Sequence, residues 1–476
     1  MSTLTTQYVQ KKIFKIVSQT ARERGVRAFA IGGYVRDCFL GRECNDIDIV
    51  VEGSGIDFAC AVGEKIKAHV TVFKNFGTAM LHFEGDEIEF VGARKESYRR
   101  ESRNPIVENG TLEDDQLRRD FTINAMAFSL QEDDFGALVD PFGGIKDLAE
   151  GIIRTPLDPD TTYSDDPLRM LRAVRFATRL STPEHSFSIV PESIESMRRM
   201  APRMEILSKE RIAEELNKML MCDRPSKAFY LMDDAGLLPE ILPWISALKG
   251  VENIDGHGHK DIFAHSLAVL DNVAAVSDNL WLRWAALLHD VGKAVVKKYE
   301  PGTGWTFRGH DVVGSKMVPR IFGSLKLPLD EKLKYVKKLV WLHMRPIALV
   351  DDEVTDSAVR RLLFDAGDDI DDLMTLCNAD ITSRNPVKVA KIKSNFELVK
   401  RKLVEVEEKD ALRNFKNPIT GDYIMEVYGI EPCNTIGQIK EIVKEAILEG
   451  EIGNNFEEAD ALMRKTAAEL GLKPCK

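Results

Sequence analysis

Two aspartates two residues apart on a strand, preceded by a double glycine, constrain this chain more than any other feature. They lie in FAIGGYVRDCFLGRECNDIDIVVEG, residues 29–53. The strand FAIGG runs into a helix, YVRDCFLG, through Gly32 and Gly33. Glycines at such a turn let backbone N–H groups approach phosphate oxygens, and the helix N-terminus adds partial positive charge. Arg36, one turn in, would complete such a cradle with a guanidinium fork. A glycine pair before a helix is a weak signal alone, since most such pairs only make turns. The next strand, NDIDIVV, strengthens it. Asp46 and Asp48 point to one sheet face, roughly 6–7 Å apart along the strand. Two carboxylates on one buried-edge strand repel unless cations bridge them, and Mg²⁺ needs few protein ligands where substrate phosphates supply the rest. A solvent-facing alternation on an edge strand is the competing reading. In EIEFV, Glu89 is either a third carboxylate or part of a plain polar face.

Length and composition set the frame for that motif. At roughly 150 residues per domain, 476 residues suggest about three domains, and a 44% hydrophobic content supports several cores. The first 150 residues alternate strand-like runs (HVTVF, TAMLHF) with helical patterns; beyond them, period-3.6 patterns dominate. The fold class expected is α+β: a mixed-sheet head over 1–150, then all-helical segments over 151–248, 249–385 and 386–476. DPFGGIKD and KGVENIDGHGHKD, rich in turn formers, mark the first two joints.

Seven scattered cysteines, odd in number and without a CxxC pair, read as reduced thiols in a cytoplasmic protein. The N-terminus has no secretory apolar core, and no run of 18 apolar residues exists, so no membrane partner is expected. A net charge of −11 excludes a generic, whole-surface nucleic-acid binder and requires any such contact to be local. Residues 351–380 carry ten acids against two arginines, which reads as a solvated helical face. Residues 384–416 carry ten bases against five acids, either another solvated face or a phosphate-contacting surface.

The order GG-x-V-R-D, then D-x-D, then RRDFTINAMA at 118–127 resembles the nucleotidyltransferases of the DNA polymerase β superfamily. More narrowly it resembles bacterial (class II) tRNA CCA-adding enzymes and their poly(A) polymerase relatives. The resemblance implies a polymerase-β-like head in which Asp46 and Asp48 hold two Mg²⁺ ions, with Gly32, Gly33 and Arg36 on the triphosphate. It implies that Arg119 contacts ribose and phosphate.

In YSDDPLRMLRAVRFATRL, Asp166 reads as an N-cap and Pro167 as the first helical residue. Asp166, Arg169, Arg172 and Arg175 follow at steps of three, each turned by about 60° around the helix. Taken alone, these are a cap and ordinary surface arginines. The resemblance gives Asp166 and Arg169 the role of a protein template pairing with the incoming base, and puts Arg172 and Arg175 on phosphate. Asp165 departs from the pattern, which usually has Glu there. Segment 94–117 is long and charged, and a flexible loop is expected in it; in the family such a loop serves the switch from C to A.

A third signal is histidine. Six of the nine histidines lie between residues 257 and 343. His289–Asp290 ends a strongly apolar helix, and desolvating such a pair without partners is costly, so metal ligation is the natural compensation. The order resembles HD-domain phosphohydrolases, implying ligands His265, His289, Asp290, His310, His343 and Asp380, with Lys293 on a phosphate. The implied metal is a divalent transition ion such as Mn, Ni, Co or Fe. His257 and His259 have no counterpart there and read as loop residues. Gly429, Gly437 and Gly450 are expected to punctuate the helices of a tRNA-binding tail.

The resemblance implies CCA addition to tRNA from CTP and ATP, releasing pyrophosphate, with no stable protein partner. Poly(A) or A-only addition is the alternative. A phosphohydrolase with a nucleotide-binding head is the second.

Overall fold

The computed structural model describes residues 5–475 except 76, 100–101, 255–256, 260, 352–354, 383–385 and 411–415. It divides into two compact units, Met1–Pro243 and Trp244–Lys476. The joint expected near 150 therefore lies inside the first unit.

The first unit is built on a seven-stranded mixed sheet. Its strands are β1 (Ala28–Ile31), β2 (Asp46–Val51), β3 (Val70–Phe73), β4 (Thr78–Phe83) and β5 (Asp86–Gly92), with β8 (Ala127–Ser129) and β9 (Leu138–Val139). The order is β3-β4-β5-β2-β1-β8-β9. Strand β2 thus sits mid-sheet, parallel to β5 and antiparallel to β1. It is not the edge strand that the sequence reading allowed.

On one face Ile47 and Ile49 are fully buried. That face is covered by α1 (Lys12–Arg24) and α3 (Gly55–Ile66), whose Phe58 ring meets Phe90 at 5.9 Å. On the other, Val50 packs with Phe29, Ile31 and Leu112 of α4 (Leu112–Leu117), while Asp46 and Asp48 continue the row outward. Helix α2 (Gly33–Phe39) follows β1 directly. Segment 94–117 is not a loop. It forms a hairpin of β6 (Arg94–Arg99) and β7 (Ser102–Asn109), then α4, which a Thr111–Asp114 capping box starts.

The rest of this unit is helical: α5 (Gly144–Glu150), α6 (Pro159–Asp165), α7 (Leu168–Arg179), α8 (Pro191–Met200), α9 (Lys209–Leu220) and α10 (Ser226–Asp234). A short parallel pair, β10 (Ile152–Ile153) and β11 (Ser188–Ile189), ties it together. Leu168, Leu171 and Val174 anchor α7 as the sequence predicts. Short helix α11 (Leu238–Ile241) ends this region, and α12 (Pro243–Ser246) begins at its last residue.

The second unit has two small hairpins, β12 (Asn253–Ile254) with β13 (His257–Gly258) and β14 (Lys298–Glu300) with β15 (Gly304–Thr306). Its core helices are α13 (Ile262–Ala274), α14 (Leu280–Leu288), α15 (Lys293–Val296), α16 (His310–Leu325), α17 (Glu331–Leu342), α18 (Met344–Asp351), α19 (Asp356–Ala366) and α20 (Ile370–Ala379). Helix α21 (Pro386–Asp410) and the tail helices α22 (Gly421–Tyr428), α23 (Asn434–Glu449) and α24 (Phe456–Glu469) complete it. Gly429 and Gly450 end helices with positive φ, whereas Gly437 lies inside α23 and ends nothing. Among the described residues, no helix is long and apolar enough to cross a membrane.

Candidate active site and metal centre

In the head, pairing register decides what the carboxylates face. Asp48 pairs with Glu89 and Asp46 with Glu87 across the parallel β2–β5 ladder, so Glu89 stands beside Asp48 on the same face. Burial, with Asp46, Glu89 and Asp115 nearby, pushes the Asp48 carboxyl up to about 6, against the pull of Arg119. Burial and Glu87 raise that of Asp46. Excess negative charge held by oxygen donors alone suits a hard divalent cation, with its remaining positions left to phosphate and water.

The turn before α2 closes on this charge. Gly32 has φ 80° and ψ −130°, and a Cβ there would lie 2.8 Å from an Arg119 terminal nitrogen and 3.4 Å from Asp48 Oδ2. The positive φ with ψ −130° is a conformation that glycine adopts freely and other residues only with strain. Buried Asp115 holds both Arg118 and Arg119, so Arg119 is fixed beside the turn.

Arg36 takes a different position from the one expected. Its guanidinium is buried, donating to both Asp37 carboxylate oxygens (2.8 and 3.0 Å) and to Asn124 Oδ1 (2.7 Å). Those bonds hold it beneath the turn. Asn124 donates in turn to Asp120 (3.0 Å), and Arg172 of α7 donates to Asp120 at 2.7 Å. Burial alone would raise the Asp120 carboxyl; Arg172 overcomes it and holds it low. This chain ties α2 to α7 through two residues, Asp120 and Asn124, that the sequence reading quoted only as part of RRDFTINAMA.

At the start of α7, Asp166 Oδ1 accepts from Leu168 N (3.1 Å) and Oδ2 pairs with Arg211 of α9 (3.2 Å). Asp166 is not the N-cap expected: Leu168 opens α7, Pro167 is its N-cap, and Asp166 is the C-cap of α6. Arg169 is half-buried and donates to the Arg118 carbonyl at 2.6 Å. Nothing in KERIAEEL singled out Arg211. Arg175 corrects an expectation outright. It is buried, donates to buried Glu215 at 2.6 Å and lies 4.3 Å over the Phe176 ring, so it is packed inside the unit rather than on its surface. Arg172, by contrast, pairs with Asp120 yet stays only half-buried.

In the second unit the six histidine and aspartate positions converge. Each stands at or beside a helix end: His265 in the first turn of α13, His289 and Asp290 after α14, His310 opening α16, His343 after α17 and Asp380 after α20. Asp290 is shared by two clusters compact enough for a metal ion, one with His265 and His289, the other with His310 and His343. Asp380 joins the first, 2.8 Å from His265 Nε2.

The tautomers follow from the second nitrogens. Nδ1 of His289, His310 and His343 lies 2.7, 2.8 and 2.7 Å from the carbonyls of Ala286, Phe307 and Val340. A carbonyl only accepts, so each Nδ1 carries the proton and each Nε2 turns a lone pair inward. His310 and His343 face each other Nε2 to Nε2 at 3.2 Å. His289 Nε2 and Asp290 Oδ1 are buried without a hydrogen-bond partner. Such orphaned donor atoms fit metal ions, and mixed imidazole and carboxylate ligands suit first-row transition metals. In the metal-free protein a proton substitutes: burial lowers His289, but Asp290 and Asp380 drive it up to about 9.

A cavity of about 590 Å³ opens over the first cluster, with His265, Asp290, Lys293 and Asp380 in its lining and Trp305 and Phe307 beside them. Lys293 donates to Asp290 at 2.6 Å. His259 is a loop residue, as expected, and it lines the cavity edge-on to Trp305 at 5.1 Å. The side chain of His257 lies outside the described residues.

A polymerase-type head joined to an HD domain is the class these features define. Family models agree: "Poly A polymerase head domain" matches residues 28–154, "Probable RNA and SrmB- binding site of polymerase A" 186–248, and "HD domain" 262–385. The multifunctional CCA protein of Pseudomonas fluorescens is 35% identical over 314 residues, covering 64% of this chain and 72% of that one. That of Aromatoleum aromaticum is 33% identical over 351 residues, covering 71% and 81%. A tRNA nucleotidyltransferase solved with a primer tRNA and an incoming ATP analog is 26% identical, covering 81% of this chain and 98% of that one, at TM-score 0.56. The Thermotoga maritima CCA-adding enzyme shares the fold at TM-score 0.60 over 98% of both chains, with 21% identity. The chain belongs to the family of CCA-adding tRNA nucleotidyltransferases.

Proposed function

We propose that the protein adds the 3′-terminal CCA to tRNA from CTP and ATP. The carrying observation is the row Asp46, Asp48 and Glu89 beside the Gly32 turn and Arg119. Asp46 and Asp48 would hold Mg²⁺, which supplies activation of the primer hydroxyl and neutralisation of triphosphate charge. The Gly32–Gly33 turn admits phosphate oxygens to the backbone. Arg119 offers positive charge to the triphosphate. Asp166 accepts and Arg169 donates at the edge of the incoming base, while Arg211 orients Asp166. Arg36, Asn124, Asp120 and Arg172 hold the two helices in place. The experiment supplies tRNA ending at the discriminator base with CTP and ATP singly and together. Three residues added only with both establishes the reading; a long ladder with ATP alone replaces it with poly(A) addition.

The HD cluster supports a second activity, metal-dependent phosphoester hydrolysis, because its histidine Nε2 atoms converge on Asp290, which two clusters share. Mn, Ni, Co or Fe fits the donor set. Release of phosphate from a small phosphomonoester in the presence of these metals, measured beside a His289 variant, tests it. The site of action is the cytoplasm, where tRNA is matured.

A further inference from the structure

Away from both sites, α16 and α17 border a groove whose lining contains Lys316, Lys334, Lys337, Lys338, Trp341 and Val312, with four lysines and no carboxylate. On α17 the positions 334, 337, 338 and 341 are spaced i, i+3, i+4 and i+7, so they form one face. The opposite face, Val336, Leu339 and Val340, is buried. Lys316 reaches in from α16, and Lys316, Lys334 and Lys337 are exposed. Lys338 is partly neutralised by Asp369 at 2.7 Å. The Lys334–Glu331 pair is exposed on both sides and offsets little. Trp341 lies among these cations with the Arg345 guanidinium 4.5 Å from its ring.

Even with Asp369 and Glu331 offsetting Lys338 and Lys334 in part, the groove lysines repel one another, and in a chain of net charge −11 this excess of positive charge is local. A polyanion relieves that repulsion. Lysines that track a phosphate backbone beside an aromatic platform are the elements of single-stranded RNA recognition. We propose that the α16–α17 groove is an RNA-binding surface that receives the phosphodiester backbone of tRNA, with Trp341 against a base or ribose. None of these residues ligates the HD cluster or belongs to the head, so the surface stands whether or not the HD site hydrolyses anything.

The test uses the full chain and the double variant Lys334→Glu/Lys337→Glu. Polarisation of labelled tRNA is titrated at several salt concentrations. The dissociation constant is expected to rise roughly tenfold at low salt, and the slope of log K against log salt to fall by about one to two. The KM for tRNA rises with it, while kcat at saturating tRNA is unchanged. Trp341→Ala weakens binding with the slope intact. An unchanged dissociation constant and slope overturn the proposal, and so would binding of an acidic protein that leaves tRNA affinity untouched. Should the double variant fold poorly, Lys334→Gln/Lys337→Gln carries the same test with half the change in charge.

Discussion

The two regions proposed to hold metal ions differ in how their donor groups are kept. In the head, Asp46 is exposed, the donors are carboxylates only, and they stay crowded and mutually repelling until a cation arrives. In the HD unit, buried imidazoles are locked by backbone carbonyls with their lone pairs turned inward, around an aspartate shared by two clusters. A site whose ion travels with the nucleotide is left open and short of ligands. One that keeps its ion is closed by the protein's own side chains. The difference predicts that dialysis strips the head but leaves metal in the HD unit.

Breaking the head comes first, with the largest expected effect. Asp48→Asn takes CCA addition to the floor of the gel assay, yet makes the metal-free protein more stable. A carboxyl raised to about 6 favours its protonated form in the fold, so it removes stability as pH climbs from about 4 through about 6. At pH 7 that is about 2–3 kcal/mol. Urea midpoints in EDTA should show the loss in the parent and a flat profile in Asp48→Asn; a profile unchanged by the substitution refutes the crowding argument.

His289→Ala tests the other side of the contrast. Metal retained after dialysis falls and phosphoester hydrolysis disappears, while CCA addition stays within about twofold. If addition is lost from a folded variant, the two sites are not independent.

Arg175 sharpens the boundary between site and scaffold. Arg175→Met leaves Glu215 buried and unpaired, which costs about 3–5 kcal/mol, and the double variant Arg175→Met/Glu215→Leu recovers most of it. A raised KM for CTP or ATP with unchanged stability would restore the phosphate role.

The smallest effect is expected at Asp120. With its carboxyl held low by Arg172 against burial, it adds stability above the ordinary carboxylate range near 4 and loses it as pH falls below. Asp120→Asn should cost about 1–3 kcal/mol at pH 7, and the gap to the parent should close in acid; a constant gap from pH 7 to 3 counts against the pairing.

Much of this was legible in the chain. Period two put Asp46 and Asp48 on one face, and apolar spacing found the face by which α7 is anchored. The six HD positions were found in order. What escaped was pairing across distance. Glu89 was undecided because a parallel register cannot be read from either strand alone. Arg175 looked like its neighbours at steps of three because its partner, Glu215, lies 40 residues on. Segment 94–117 read as a loop because its strands, Arg94–Arg99 and Ser102–Asn109, are charged and carry few apolar residues to mark them.

By itself the sequence determined which chemistry was present: carboxylates at strand spacing, glycines at a turn, and histidines and aspartates in HD order. Residue type and local period depend only on near neighbours in the chain. Tertiary structure alone decided which carboxylate several of the arginines pair with. A guanidinium binds whichever carboxylate the fold brings within reach, and Asp37, Asp120 and Glu215 claimed Arg36, Arg172 and Arg175.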